Sequence, residues 1–218
     1  MNVVKPIKSI EQIEAMKNEL GKYDNKGYAD IRIFEAQRNR TIFCVGINSA
    51  LRVSDIRVLD LADVFTEDLG FNDVLLKEKK THKSKEFPIT DTLKEELKKN
   101  IYCYFFVLYK ININNLSQED GETVKQVIRT QPLFPSEKKG YLSRVQIYRI
   151  LNKSAKKLGL GRIGTHTMRK TFAYWFYKRT KDIGLLQKLL NHSSQRETMI
   201  YIGLEQEEID EAYRSFGL

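Results

Sequence analysis

The pattern of apolar and polar residues predicts a chain built mainly from α-helices. In most segments the apolar residues recur at intervals of three or four positions, as on the buried face of a helix. Helix-start signals support several boundaries, including a capping box from Ser9 to Gln12 and the capping residues Thr90, Ser143 and Thr165. The predicted helices are 10–20, 29–47, a short helix capped by Ser54, 91–109, 143–158, 166–175, 182–190, a segment that begins at Ser194 or Thr198, and an amphipathic tail helix 205–216.

A strand region interrupts the helices between residues 62 and 90. Two apolar strand cores, 74–76 and 87–89, flank a charged tip at 77–86 that holds five lysines. Apolar runs separated by a polar turn predict an antiparallel hairpin. Such a tip is usually solvated, although it could also place an ammonium group against a DNA backbone. The predicted fold class is therefore mainly α with a small antiparallel β-sheet or hairpin.

The same pattern assigns individual residues to core or surface. Residues 101–109 are predicted to be a buried helix end, 112–121 a loop and 132–135 an extended segment. The predicted core includes Ile31, Phe34, Ile42, Phe43, Val45, Val145, Ile147, Ile150 and Leu151, whereas Arg38 and Arg40 are predicted to be solvated.

Composition and charge narrow the choice of partner. The 218 residues fit one large domain or one domain with a small appendage, and 41% of them are hydrophobic, enough for a core. The net charge of +9 favours a polyanionic partner such as nucleic acid, although a merely basic protein is the plainer alternative.

Cys44 and Cys103 form no CxxC pair, which favours a reducing compartment. No signal core is present, and 101–109 is too short to span a membrane, so we expect a cytoplasmic protein.

Two classes of site are not expected. Residues 159–164 match the GxGxxG dinucleotide pattern, but here the pattern follows a helix rather than a strand, and Gly159 suits a helix C-cap. We therefore expect no nucleotide cofactor. The chain has three histidines, no HExxH motif and no carboxylate cluster at metal-ligand spacing, so no metal is expected either.

Three basic residues have the chemistry of a phosphate site. Arg52 lies at a helix junction between apolar neighbours, where Asp55 is a plausible partner for a charge that is costly to bury alone. His166 and Arg169 stand three positions apart at a helix N-terminus, which attracts phosphate. Taken singly, each has a plainer interpretation as a surface or structural residue.

His192 precedes Tyr201 by nine positions. A tyrosine has a reference pKa of about 10, so it is a poor nucleophile unless basic or phosphate-binding groups surround it. Tyr201 alone is best interpreted as a core residue, and Lys80 alone as a solvated hairpin lysine. Their significance depends on the order of the whole set, which runs Arg52, Lys80, His166, Arg169, His192 and Tyr201.

In this order and spacing the motifs resemble the tyrosine recombinase (phage integrase) family. The resemblance extends from about Ile31 to Phe216. The motifs are Ala50-Leu-Arg52-Val-Ser-Asp55, Lys80-Thr81, His166-Thr-Met-Arg169-Lys-Thr-Phe, Leu190-Asn-His192-Ser-Ser and Tyr201-Ile-Gly. The full set is specific, although each member alone is weak. The resemblance implies the catalytic-domain fold of that family.

The resemblance also implies a role for each residue. Arg52, Arg169 and His192 would hold the scissile phosphate, and Asp55 would support Arg52. Lys80 would protonate the departing 5′ oxygen, with Lys79 and Lys83 as nearby alternatives, and His166 would serve as an acid/base or hydrogen-bonding group. Tyr201 would attack phosphorus and form a 3′-phosphotyrosyl bond. That bond retains the phosphodiester energy, so the reaction needs neither ATP nor a metal.

The resemblance further implies a domain organisation and a partner. Residues 1–28 are expected to form a short N-terminal extension and 29–218 a catalytic domain with a C-terminal tail helix, without a separate N-terminal DNA-clamping domain. The expected partner is double-stranded DNA, bound weakly and in a salt-sensitive manner, with compensation by self-association or by a partner recombinase. Two alternatives are a DNA-binding or accessory module of the same fold with little cleavage activity, and a topoisomerase-like enzyme that relaxes DNA without site specificity.

Overall fold

The predicted fold class is confirmed. The computed structural model describes residues 4–23, 29–78, 84–137, 140–161, 163–164, 166–203 and 213–216. Helices dominate this part of the chain, accompanied by a two-stranded sheet. The helices are α1 (Ile10–Leu20), α2 (Ala29–Asn48), α3 (Val53–Ile56), α4 (Leu61–Val64), α5 (Asp91–Leu108), α6 (Gln118–Thr130), α7 (Arg144–Lys157), α8 (Thr167–Thr180), α9 (Ile183–Leu189) and α10 (Gln195–Ile202), and the strands are β1 (Val74–Lys77) and β2 (Ser84–Phe87).

Helix α2 lies at the centre of the main core and packs against α1, α5 and α8. On the α5 side, the rings of Phe34 and Tyr104 meet edge to face with centroids 5.5 Å apart. On the α8 side, a glycine permits close approach. A Cβ atom added to Gly46 would lie 2.5 Å from the Met168 sulfur and 2.9 Å from the Met168 Cβ, so the Met168 side chain or α8 itself would have to shift to admit any larger residue. Helix α8 is thereby fixed against the core.

The segment that precedes α1 is attached to α8. The Ile7 amide donates to Thr171 Oγ1 at 2.9 Å, and the Trp175 indole N–H donates to the Ile7 carbonyl at 3.0 Å. Val4 packs closely against Gly164, just before α8. Backbone and side-chain contacts therefore hold this segment along the helix that carries Arg169.

A second, smaller hydrophobic cluster joins α8, α9 and α10. Its buried members are Ala50, Ala173, Leu186, Leu190 and Ile202. The predicted helix 182–190 is confirmed as α9, with the Asp182 side chain accepting from the Leu185 amide at 2.8 Å. This cluster brings the C-terminal part of the described chain against the loop after α2.

The predicted hairpin is confirmed, with β1 and β2 antiparallel and Val74 opposite Phe87. Its predicted bounds were wrong, because the second strand is Ser84–Phe87, most of which was assigned to the charged tip 77–86. Along β2 the residues alternate between exposed and buried, as the period of a strand requires. Phe87 and Lys85 occupy the buried positions. Residues 79–83, including Lys80 and its neighbours Lys79 and Lys83, lie outside the described residues.

Several element predictions were wrong. The stretch 61–64 is a helix rather than a strand, because Asp60 and Asp63 form a capping box and Leu61 and Val64 are buried on one face. Residues predicted as a loop up to position 121 include the start of α6, which Ser117 caps. Helix α6 was missed because few of its residues are apolar.

Helix starts and ends also differ from prediction in places. Arg52, not Ser54, is the N-cap of α3. His166 is the N-cap of α8, which continues to Thr180, and the predicted cap Thr165 lies outside the described residues. Most of the predicted tail helix 205–216 also lies outside them, with only 213–215 seen to be helical. Of the two predicted starts for α10, Ser194 is the cap.

Burial was predicted wrongly at a few positions. Arg38 is buried rather than solvated, because its guanidinium donates to the Pro135 carbonyl at 2.7 Å and pairs with Glu35 at 3.5 Å. Arg40 is half-buried and binds Glu96 through two hydrogen bonds. Several predicted core residues are exposed instead, because they lie at the edge of a helix face or at its end: Ile31, Val145, Phe106 and Leu108. No described helix is both long and apolar enough to cross a lipid bilayer.

Candidate active site

The loop between α2 and α3 positions Arg52. Helix α2 ends when Ser49 Oγ donates to the Val45 carbonyl at 2.7 Å and then accepts from the Leu51 amide. Ala50 follows in the left-handed region at φ 54°, a conformation that is unfavourable for a residue with a Cβ. Leu51 and Val53 are both buried, so they fix the backbone on either side of Arg52. The guanidinium is mostly enclosed, with a side-chain exposure of 16%.

Glu78 connects the two predicted phosphate-binding arginines. Its side chain is fully buried, with one carboxylate oxygen 2.7 Å from Arg52 Nη1 and the other 3.7 Å from Arg169 Nη1. Sequence analysis did not single out Glu78, because a glutamate in a lysine-rich hairpin gives no signal of its own. The structure therefore shows that both guanidinium groups converge on a single anion.

Arg169 lies in the first turn of α8 and is almost completely buried. Its guanidinium donates to the Leu190 carbonyl, which ties α8 to the end of α9. Burial and the nearby Arg52 lower the pKa of Arg169. At the N-cap of α8, burial together with Arg169 lowers the pKa of His166, so this ring is neutral near pH 7. The predicted proximity of His166 and Arg169 is confirmed.

Asp55 is buried in α3, where its carboxylate accepts from the Ser54 hydroxyl at 3.4 Å. Its negative charge raises the pKa of Arg169 and the pKa of Lys85, which places it electrostatically within the same group. The ion pair at Arg52 is formed by Glu78, on a different element. The assignment of Asp55 as the support for Arg52 stays a prediction.

His192 and Tyr201 lie together at the turn between α9 and α10. The His192 Nδ1 atom is 3.1 Å from Thr198 Oγ1, and the imidazole meets the Tyr201 ring edge to face, with centroids 4.9 Å apart. Burial lowers the pKa of His192, although Glu197 acts in the opposite direction. Ser193 binds the Glu197 carboxylate through both its amide and its hydroxyl. These contacts fix the turn that holds the histidine.

The Tyr201 hydroxyl is buried and has no hydrogen-bond partner among the described residues. Burial raises the pKa of Tyr201 to about 12, while the positive charges of Arg169 and Arg52 oppose that increase. Lys170 Nζ lies 5.0 Å from the centre of the ring. A buried hydroxyl without a partner is unusual, and such groups often have a chemical role. Here the positive charges of Arg169 and Arg52 act on the hydroxyl.

Lys85 is a further member of the site that sequence analysis did not identify. It lies on β2, and its ammonium donates to the carbonyls of Ala50 at 3.0 Å and Leu189 at 2.9 Å. Burial, followed by the charge of Arg169, lowers the pKa of Lys85 to about 7. The two-residue period of the strand was the signal available, because it places this lysine on the same face as Phe87.

The arrangement suits the binding of an oxyanion beside a hydroxyl nucleophile. Two guanidinium groups offer planar donors that match a phosphate, and burial strengthens their electrostatic effect. In the described part of the chain, no group of three or more histidine, cysteine or acidic residues is placed to hold a metal ion.

Comparison with known proteins places the chain among recombinases. The phage integrase family model matches residues 29–208. The probable integrase/recombinase YoeC of Bacillus subtilis is 38% identical over 217 residues, covering 100% of this chain and 99% of YoeC. Tyrosine recombinase XerC of Thermodesulfovibrio yellowstonii is 31% identical over 182 residues, covering 83% of this chain and 54% of XerC. The chain thus spans nearly all of YoeC but about half the length of its XerC relatives.

Solved structures agree on the fold. The crystal structure of XerA recombinase superposes with a TM-score of 0.65 at 17% identity, covering 99% of this chain and 65% of that one. XerH site-specific recombinase bound to palindromic difH substrate, in a post-cleavage complex, gives a TM-score of 0.63 at 20% identity, covering 97% of this chain and 53% of XerH. The predicted catalytic-domain fold is confirmed. Since the family match covers most of its length, the chain belongs to the phage integrase family of tyrosine recombinases.

Proposed function

We propose that the chain is a site-specific recombinase that cuts and rejoins double-stranded DNA through a 3′-phosphotyrosyl bond to Tyr201. The observation that carries this proposal is the convergence of Arg52 and Arg169 on one anion, the Glu78 carboxylate. Both arginines also act electrostatically on the buried hydroxyl of Tyr201, which has no hydrogen-bond partner in the described part of the chain. In the proposed complex a DNA phosphate occupies the place of that carboxylate.

Phosphate binding would prepare both reactants. The guanidinium groups of Arg52 and Arg169 would neutralise the charge that grows on the phosphoryl oxygens in the transition state. His192 would add a hydrogen bond, with its ring held by the contact to Thr198. His166, at the N-cap of α8, would donate or accept a proton. Because the pKa values of both histidines are lowered, each ring is neutral at physiological pH and is able to accept a proton or to donate its N–H in a hydrogen bond.

The chemical step exchanges one phosphodiester for another. The Tyr201 oxygen bonds to phosphorus as its proton passes to a base, for which the neutral ring of His166 is the proposed acceptor. At the same time the bond from phosphorus to the 5′ oxygen breaks. That oxygen takes up a proton, for which Lys80 is the proposed donor, and departs as a 5′-hydroxyl. Attack by a 5′-hydroxyl on the phosphotyrosyl bond reverses these events and rejoins the DNA. Because the number of phosphodiester bonds is conserved, no ATP is required. The guanidinium groups of Arg52 and Arg169 would supply the charge neutralisation for which other phosphoryl-transfer sites use a metal ion.

We also propose DNA-bound assemblies of more than one subunit. Support comes from solved relatives of the same fold, including a lambda integrase dimer bound to a COC′ core site and a lambda integrase tetramer bound to a Holliday junction. The proposed domain organisation keeps residues 29–218 as the catalytic domain and 1–28 as an extension. The family match over 29–208 supports a catalytic domain that begins at residue 29.

A covalent-trapping experiment tests the proposal. The protein is mixed with supercoiled and nicked DNA of its host in the presence of EDTA, and the reaction is quenched with SDS. The expected result is a protein–DNA adduct that requires no metal and disappears in Tyr201→Phe. Tyr174→Phe is the matched control, since Tyr174 lies on α8 and packs against Trp175.

The possible outcomes separate the alternatives. An adduct that persists in Tyr201→Phe would refute the choice of nucleophile. Binding of DNA without an adduct, on DNA that carries the target site, would favour the accessory-module function. Relaxation of unrelated plasmids would favour a topoisomerase-like activity over site-specific recombination.

A further inference from the structure

Strand β2 carries a lysine at a position that faces the core. Lys85 is only 7% exposed, and its neighbours Ser84 and Glu86 point outward. Its ammonium donates to the Ala50 carbonyl at 3.0 Å and to the Leu189 carbonyl at 2.9 Å. One side chain therefore links the hairpin to two segments that are far apart in sequence.

Those two segments carry two of the three predicted phosphate ligands, Arg52 and His192. Ala50 precedes Arg52 by two residues, and Leu189 is the last residue of α9, three positions before His192. Each segment contains a residue with a Cβ in the left-handed region, Ala50 at φ 54° and Asn191 at φ 51°. Backbone in this conformation persists only when its surroundings hold it there. The contacts of Lys85 are placed to provide that support.

Charged side chains of both signs surround Lys85. The groups that act on it are Arg169 on α8, Arg52 at the N-cap of α3, Asp55 within α3, and Glu78 after β1. Burial is the largest reason that its pKa is lowered to about 7, so the free protein holds a mixture of ammonium and amine at neutral pH. A neutral amine still has two N–H groups, enough for both carbonyls. Deprotonation therefore removes the charge and leaves the two hydrogen bonds possible.

We propose that Lys85 is a positioning residue for DNA strand transfer, which ties the Arg52 loop to the His192 turn and, when protonated, adds positive charge behind the two arginines. This inference rests on the proposed function. It assigns Lys85 a task separate from that of Lys80, the proposed proton donor to the leaving oxygen. The carbonyl contacts occupy two of the three N–H groups of the ammonium, so Lys85 acts through the backbone that it holds.

The test compares Lys85→Met and Lys85→Arg with wild-type protein. The exposed Lys98→Met is the matched control, because it removes the same charge from the surface of α5. Each protein is assayed for the rate constant of adduct formation with host DNA, from pH 6 to pH 9, at saturating and subsaturating DNA. The dissociation constant for the same DNA is measured in parallel.

Lys85→Met is expected to lower the rate constant at saturating DNA by on the order of a hundredfold, as a misplaced reactive group does. Its DNA affinity should stay close to that of the control. At subsaturating DNA, the wild-type rate should fall as the pH rises through about 7, the pKa of Lys85 in the free protein. Arginine stays charged across this range, so Lys85→Arg should keep most activity and lose that pH dependence. His166 and His192 titrate at lower pH.

Two results would overturn the inference. One is a rate constant for Lys85→Met equal to that of Lys98→Met. The other is a wild-type pH dependence that survives unchanged in Lys85→Arg, which is informative even if Lys85→Met does not fold. A lower adduct yield with an unchanged rate constant would indicate a smaller folded fraction, and it would also contradict a positioning role. Absence of an adduct with wild-type protein would refute the proposed function itself, and the inference with it.

Discussion

Replacing Glu78 with glutamine should increase the affinity of the protein for DNA. The carboxylate lies 2.7 Å from Arg52 and 3.7 Å from Arg169, so a DNA phosphate must compete with it for both guanidinium groups. At an effective dielectric constant of about 20, two unit charges 4 Å apart interact by about 4 kcal/mol. Desolvation offsets much of this, and we expect a net gain of about 1.4 to 2.8 kcal/mol, or roughly tenfold to a hundredfold in affinity.

The same substitution should reduce stability. Removing one member of a buried ion pair costs about 3–5 kcal/mol, and the retained amide of glutamine should limit the loss to about 2 kcal/mol. Fluorescence anisotropy with a labelled duplex measures affinity, and urea unfolding measures stability. Glu95→Gln is the matched control, because it removes an equal charge from an exposed pair with Lys98. If both variants bind DNA equally well, the carboxylate of Glu78 does not compete with phosphate, and the reasoning fails.

Three further predictions concern single side chains. Tyr201→Phe removes a buried hydroxyl that has no hydrogen-bond partner among the described residues. The free energy of unfolding, measured in urea, should therefore stay unchanged or rise by up to about 1 kcal/mol, and a clear decrease would indicate that the hydroxyl has a partner. Gly46→Ala should destabilise the protein by about 1–3 kcal/mol in the same assay, because the added methyl group would lie 2.5 Å from the Met168 sulfur. An unchanged free energy of unfolding would mean that Met168 or α8 shifts at no cost to accommodate the methyl group. Burial raises the pKa of Cys44 to about 12, so iodoacetamide at pH 8 should alkylate Cys103 first, as mass spectrometry would detect; equal rates would contradict the burial of Cys44.

Sequence reasoning singled out the two arginines, the two histidines and Tyr201 because short motifs surround them. The predicted caps at Ser143 and Ser194 are confirmed at the starts of α7 and α10, and α10 carries Tyr201. Glu78 and Lys85 escaped notice for a different reason. Whether these two side chains point into the protein depends on the register of two four-residue strands. The many lysines between residues 77 and 85 leave no apolar–polar alternation from which that register could be predicted.

Burial of charge was the second source of error. Arg38 was predicted to be solvated, yet it is buried because the Pro135 carbonyl, 97 positions away, accepts a hydrogen bond from it. The residues that flank Arg38 in sequence do not indicate that contact. Helix α6 illustrates the opposite limit, because its apolar face consists of three buried residues in a polar segment, too few to stand out. Local periodicity does not predict burial where a residue distant in sequence supplies the partner, and it does not predict a helix whose apolar face is narrow.

The attachment of the N-terminal segment to α8 provides a natural optical reporter. Trp175 is the single tryptophan of the chain, and its indole N–H bonds to the Ile7 carbonyl. Indole emission responds to the hydrogen bonding and polarity around the ring. Unlabelled protein should therefore report, through its intrinsic fluorescence, whether this segment remains seated on the helix that carries Arg169 during binding and turnover.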